Sequence, residues 1–297
     1  MKIHLNLDLL SEQDLSGFTE VPFLIPYLSD DLYSVMTKYA NPWNEGLFTK
    51  LFFNGNTLFE SSDLEDCDYS IIPYKYNYND SRTAIICDRA RLHGKVVLAF
   101  YNDDYAGKLD LFDNLILFRT SVGRSQIEKS ERVLPVLIAD HFTGSYEANN
   151  SIGFCGYVHD CRKNALEMIS DLYEVDIVQR NGFFAEDIPK TQARREYYAN
   201  LVNNKFTFCM RGQGNFSYRF YESLSFGRIP ILISTDTILP LENIIDWDKH
   251  IIFIENYEYG KLTKAIEQNF DMHANRKLWE EFFSPHGFIK NITKFIA

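Results

Sequence analysis

Short apolar runs alternate with stretches of helical period along the whole chain. Residues 3–9, 50–53, 69–73, 95–101, 114–119 and 132–139 read as strands. Residues 29–39 and 81–93 read as helices; Ser29 or Asp30 is placed to cap the first, and Leu32, Val35 and Met36 share one of its faces. Strands alternating with helices predict α/β layering around parallel sheets.

The tract HFTGSYEANNS at 141–151 is small and polar without periodicity, and is the best linker in the chain. A second series follows: strands at 151–158, 175–179, 205–210, 229–234 and 251–254, helices at 162–173, 190–202 and 217–226, and two closing helices. The expected organisation is two α/β domains, 1–145 and 146–297, with the last helix free to pack back on the first. In such folds ligands bind at the carboxyl ends of strands, here in the cleft between domains.

Composition narrows the classes. With 45% hydrophobic and 15% aromatic residues, the 297-residue chain can build real cores, which excludes intrinsic disorder. A net charge of −11 argues against a nucleic-acid or anionic-membrane binder, so any phosphate must be held by a local arginine cluster. No run reaches the length of a membrane span, and residues 1–10 lack the apolar core of a secretory signal, so a soluble, cytoplasmic protein is expected. Five cysteines, at 67, 87, 155, 161 and 209, sit mostly in apolar runs as small hydrophobes of a reducing compartment. Cys155, His159 and Cys161 do not have a zinc spacing.

The segment 205–254 carries the chemistry. A strand ends at Met210, Arg211-Gly212-Gln213-Gly214-Asn215-Phe216 turns, and Ser217 is placed to cap a helix that contains Arg219 and Glu222. Glycines let backbone amides approach an anion, a helix N-terminus adds partial positive charge, and Arg211 and Arg219 add full charges. That set suits a diphosphate. Glu222 lies too far along the helix to cap it, and in the cleft it could accept the vicinal hydroxyls of a ribose. A plain glycine turn is one competing reading. A dinucleotide fingerprint is another: Gly212-x-Gly214-x-x-Ser217 opens a helix, with Asp236 about 22 residues on, although Ser replaces the third glycine. A P-loop is excluded because no Lys-Ser/Thr follows the glycines.

In ordered detail the segment resembles the C-terminal signature of exostosin-like glycosyltransferases, glycosyltransferase family 47. The matching residues are Arg211-Gly212, Ser217, Arg219, Glu222, Leu224, Gly227, Ile229-Pro230, Leu239-Pro240 and Asp246-Trp247. Fainter likenesses are the run from Asp66-Cys67-Asp68 to Pro73-Tyr74, and residues 152–156 with Arg162. Met210 stands where many members have proline. The resemblance implies a GT-B architecture, two Rossmann-like domains facing across a cleft, and an inverting transfer of sugar from a UDP-sugar donor to a glycan hydroxyl. It implies donor binding by Arg211, Gly212, Gly214, Ser217, Arg219, Glu222 and Arg162, with Arg211 also stabilising the leaving group.

Inversion needs a general base, and Asp103 and Asp104, just after the strand at 96–101, are the first choices. Tyr74, Tyr76, Tyr78, Tyr101 and Tyr105 are possible stacking surfaces for sugar rings. Asp66-Cys67-Asp68 has the form of a metal-binding Asp-x-Asp, but it precedes an apolar strand of the presumed acceptor domain and reads as a solvated strand entry. No divalent metal or other cofactor is expected. Two other classes stay open: a nicotinamide-dependent oxidoreductase, and a catalytically silent GT-B-like protein that binds nucleotide or glycan.

Overall fold

The computed structural model describes residues 1–11, 14, 59–142, 144–182, 188–255 and 258–297. The expected helix at 29–39 and strand at 50–53 lie outside the described residues.

Two all-parallel sheets follow one another along the chain. The first has six strands: β1 (Lys2–Leu5), β2 (Glu60–Ser61), β3 (Tyr69–Lys75), β4 (Val96–Tyr101), β5 (Leu115–Arg119) and β6 (Glu131–Val133), in the order β2-β1-β3-β4-β5-β6. The second has five: β7 (Asn149–Tyr157), β8 (Val175–Arg180), β9 (Asn204–Met210), β10 (Ile229–Ile233) and β11 (Ile252–Ile254), in the order β11-β10-β9-β7-β8. The helices are α1 (Ser81–Leu92), α2 (Asp160–Ser170), α3 (Lys190–Asn203), α4 (Tyr218–Ser225), α5 (Leu262–Ile266), α6 (Met272–Leu278), α7 (Pro285–Lys290) and α8 (Ile292–Ile296). This is the GT-B arrangement, an α/β fold of two parallel-sheet units.

Alternation along the strands sorts the core into layers. Val97 and Ala99 of β4 face Ile86, Cys87 and Ala90 of α1. Leu98 and Phe100 share the opposite core with Phe118, Phe288, Ile292, Phe295 and Ile296. Phe118 meets Phe288 edge-on at 6.1 Å, and Arg132 Nε donates to the Ile296 carbonyl at 2.9 Å. The last described helices thus cover one face of the first sheet. In the second sheet, Ile152, Phe154, Phe206, Phe208 and Ile231 pack with Ala165, Leu166 and Ile169 of α2.

The short edge strand β2 was not expected, and three expected elements differ from the sequence reading. The strand expected over 3–9 ends at Leu5, because Asn6 turns inward and its Nδ2 donates to Ser70 Oγ and the Ile71 carbonyl; a 3-10 turn follows at Leu7–Leu9. The strand expected over 132–139 stops at Val133, where Pro135, which has no N–H for the ladder, lets the chain leave the sheet edge. The two closing helices are a string of short segments, and a π-helical turn at Trp279–Phe283 joins α6 to the Ser284 cap of α7.

The crossing between the sheets, residues 134–148, is held by two buried arginines. Arg228 is fully buried and donates to the carbonyls of Leu201, Val202, Ser145 and Glu147. Arg276 pairs with Asp140 at 2.7 Å and also donates to the Ser225 carbonyl.

Candidate active site

The carboxyl ends of the two sheets face each other. From the first come the turns after β4 and β5; from the second come the ends of β7 and β9 and the loop 211–217 into α4.

Asn215 locks that loop in place. It is buried, its backbone N–H donates to Ser121 Oγ at 2.8 Å, and its Nδ2 donates to the carbonyls of Val122 and Asp236, both at 3.1 Å. Its Oδ1 accepts from Thr235 Oγ1. Asp236 sits in the left-handed region at φ 69, and its carboxylate accepts from the backbone N–H and hydroxyl of Ser125. It therefore closes the interface between the units, whereas a dinucleotide fingerprint would need it for a ribose. Between these contacts lies a cavity of ≈ 30 Å³, room for about one water, lined by Thr120, Val122, Arg211, Phe216 and Leu239 among others.

Three arginines surround the loop. Arg211 is half-buried, and its guanidinium donates to the Gly212 and Gln213 carbonyls of its own loop. Arg162, from α2, is buried beneath it and donates to the carbonyls of Tyr157 at 3.1 Å and Arg211 at 2.9 Å. Burial and the nearby Arg219 charge pull its pKa down to about 10. Arg219 donates to the Cys155 carbonyl at 2.6 Å and lies over the rings of Phe154 and Tyr197, 4.4 and 5.5 Å from their centres. Gly156 makes room for it, since a β-carbon there would lie 2.8 Å from Arg219 Nη2. The Nε groups of Arg162 and Arg219 are buried without a hydrogen-bond partner. Among the described residues, none of the three is ion-paired with a carboxylate.

Glu222 is half-buried one turn beyond Arg219, and its Oε2 accepts a hydrogen bond from the Tyr197 hydroxyl of α3. Burial pushes its pKa up, and Tyr197, Arg219 and Arg194 pull against that shift without cancelling it. Ser217 occupies the N-cap position of α4, but its side chain makes no capping bond. Gly212 lies beside the Arg162 guanidinium, and Gly214 is buried against Phe216 and Asp104.

The two aspartates after β4 differ. Asp103 is bound by Lys75 at 2.5 Å and by the Tyr105 backbone N–H at 2.8 Å. Burial opposes its charge, but these bonds prevail and hold its pKa below the usual carboxylate value. Asp104 is exposed, its carboxylate accepts no hydrogen bond among the described residues, and it faces Gly214. Among the tyrosines, Tyr74 and Tyr76 are buried in the core, whereas Tyr78 and Tyr105 are exposed and Tyr101 is half-buried. Asp66 and Asp68 lie before β3, at the amino edge of the first sheet, where Asp68 accepts from the Lys2 backbone N–H.

Sequence reasoning missed Arg119. It ends β5 fully buried, pairs with buried Glu131 at 2.8 Å, and donates to the carbonyls of Tyr105 and Gly107. It thereby fixes the loop that carries Asp103 and Asp104. Its one visible signal was a charge terminating an apolar strand. Tyr197 was missed too, as one aromatic among many.

Known proteins are similar to the chain over the same segment. Residues 159–270 match the exostosin GT47 domain model, which spans the arginine cluster and Glu222. Exostosin-1 of Drosophila melanogaster is 32% identical over 217 residues, covering 61% of this chain and 28% of its own length. A probable glucuronosyltransferase of Oryza sativa subsp. japonica is 31% identical over 76 residues, covering 26% of this chain and 18% of its own. A probable glucuronosyltransferase of Physcomitrium patens is 32% identical over 76 residues, covering 26% and 17%. The chain thus spans less than a third of the length of these curated relatives. Among the described residues no helix is long and apolar enough to cross a membrane. Arginines, glycine loop and glutamate fall together inside the segment, residues 159–270, that is similar to the exostosin GT47 domain.

Proposed function

We propose that the protein is an inverting glycosyltransferase that moves a sugar from a UDP-sugar to a hydroxyl of a glycan acceptor. One observation carries the reading: Arg162, Arg211 and Arg219 gather at the carboxyl ends of β7 and β9 without a carboxylate partner among the described residues. In a chain of net charge −11, guanidinium groups left unneutralised beside glycine amides and a helix N-terminus suit an anion.

In this reading residues 146–297 hold the donor and residues 1–145 the acceptor. Arg211, Arg219 and the amides of Gly212 and Gly214 bind the diphosphate, Arg162 braces them from below, and Glu222 Oε1 accepts a ribose hydroxyl. Asp104 takes the proton of the acceptor hydroxyl as that oxygen bonds to the anomeric carbon. The bond from that carbon to the diphosphate breaks on the opposite side, and the arginines stabilise the departing charge. Asp104 is preferred to Asp103 because Lys75 already occupies the latter. The glucuronosyltransferase names among the relatives make UDP-glucuronate the first donor to assay.

The test is a thermal-shift panel of UDP, UDP-sugars and NADH, followed by transfer assays with the donors that bind. A ligand at 100 times its Kd adds roughly 2.7 kcal/mol of apparent stability. Stabilisation by UDP with transfer of its sugar is expected. Stabilisation by NADH without UDP would sink the reading, and UDP binding with no transfer or hydrolysis would reduce it to a silent binding protein.

A further inference from the structure

We propose that Tyr197 is a positioning residue of the nucleotide site, fixing one carboxylate oxygen of Glu222 so that the other meets the ribose, and bracing Arg219 with its ring. The inference rests on the reading of Glu222 as the ribose acceptor.

Geometry supplies the argument. The Tyr197 hydroxyl donates to Glu222 Oε2, while Oε1 has no partner among the described residues. A carboxylate held by one oxygen loses rotational freedom and presents the other in a fixed direction. The Tyr197 ring, like that of Phe154, lies against the Arg219 guanidinium. One side chain from α3 therefore touches both charged groups assigned to the nucleotide.

The helix that carries Tyr197 is itself pinned. Next to it, Glu196 pairs with Arg180 at the end of β8. One turn on, buried Asn200 donates to the Asp176 carbonyl and carboxylate, and Asn204 donates to the same carboxylate at 2.8 Å. Gly153 admits this network, because a β-carbon there would come within 2.8 Å of Asn204 Nδ2. The position of Tyr197 is thus set by the sheet, and a ligand has no need to create it.

A positioning role has a signature in pH. Glu222 is faced by Tyr197, Tyr198 and Arg194 from α3, by Arg219 on its own helix and by Cys209 from β9. Burial favours its neutral form, and the Tyr197 hydrogen bond is among the groups favouring the carboxylate. Without that bond, the carboxylate persists only at higher pH.

The experiment measures UDP affinity of the full chain from the ordinary glutamate value of 4.5 up to neutrality, for wild type, Tyr197→Phe, Tyr198→Phe and Glu222→Gln. Thermal melts confirm that each variant folds. In wild type, affinity falls as Glu222 takes up a proton. Tyr197→Phe should move that midpoint upward by about one pH unit, the size of one lost charge-assisted hydrogen bond. Tyr198→Phe should leave the midpoint where it is, and Glu222→Gln should bind weakly without the pH step. An unmoved midpoint in Tyr197→Phe, or an equal shift in Tyr198→Phe, overturns the proposal while the Glu222 reading stands. Wild-type pH dependence in Glu222→Gln removes Glu222 from the ribose, and the proposal falls with it.

Discussion

Asp104 and Gly214 meet across the cleft: a β-carbon grafted on Gly214 would lie 2.7 Å from Asp104 Oδ1 and 2.5 Å from the nearest ring carbon of Phe216. The free carboxylate of the first unit and the anion loop of the second are therefore neighbours, and only a residue without a side chain fits between them. Gly214→Ala should push the two apart. Overpacking at a buried contact costs about 1–3 kcal/mol, so UDP affinity or turnover should drop by at least several-fold. Isothermal titration and initial rates check this, and wild-type values for both would show that the loop moves freely away from Asp104.

Asp103 and Asp104 should separate under mutation. A general base is worth roughly 10²–10⁴-fold in rate. Asp104→Asn should lose turnover on that scale with UDP binding intact. Asp103→Asn should chiefly free Lys75, with a stability loss that is present at neutral pH and fades as pH falls below 3.8. Asp103 is held under the ordinary value of 3.8, so its contribution to stability is present above that value and disappears as pH falls below it. Equal rate losses in both variants would put the base elsewhere.

Glu222→Gln should raise the melting temperature at neutral pH while it weakens UDP. Burial raises the carboxyl pKa above its ordinary 4.5, so the folded state bears a charge that costs stability once pH exceeds the raised value. Glutamine removes that charge and can still accept from Tyr197. The gain should shrink as pH drops toward 4.5 and vanish below it. Melting curves across pH decide the matter, and a loss of stability at neutral pH would show that the charge is compensated in the fold.

Arg119→Leu should be costly far from the nucleotide. It leaves Glu131 buried without its partner, a situation worth about 3–5 kcal/mol, and it frees the loop carbonyls at Tyr105 and Gly107. Denaturant unfolding should show the loss. Replacing Glu131 by leucine as well should recover much of the stability but not the turnover, because the loop holding Asp104 remains untied.

Transfer is expected to run equally well in excess EDTA and in added Mg²⁺. The arginine cluster lies at the carboxyl ends of the strands, whereas Asp66 and Asp68 lie at the amino edge of the first sheet. Near the cluster, Glu196 is paired with Arg180 and Glu222 is bonded to Tyr197. Mg²⁺ needs one or two carboxylates beside phosphate oxygens. Activity lost in EDTA and restored by metal would overturn this expectation.

Most of the parallel strands were legible because they are short apolar runs punctuated by glycine, proline or a charge, and β9, β10 and α4 fall within a residue or two of their expected limits; β2, the polar pair Glu60–Ser61, was not. The candidate site could be assembled from sequence where its residues are close together: Arg211, Gly212, Gly214, Arg219 and Glu222 all lie within twelve positions. What escaped the reading was long-range. Arg228 binds carbonyls more than eighty residues away at Ser145 and Glu147, and Arg276 reaches Asp140. A buried arginine looks in sequence like a surface one, since its acceptors are backbone carbonyls that leave no mark in the residue types. Choosing between Asp103 and Asp104 likewise depended on Lys75, a strand away.

The packing of residues 285–296 on the first sheet has a consequence for how the protein is made. The side chains that keep water from Leu98, Phe100 and Phe118, namely Phe288, Phe295 and Ile296, are translated at least 170 residues after them. Domains ordinarily fold as they emerge, first unit first. Here the first unit keeps one apolar face bare until the second has been translated, so its side of the cleft is completed only after the second sheet has been made.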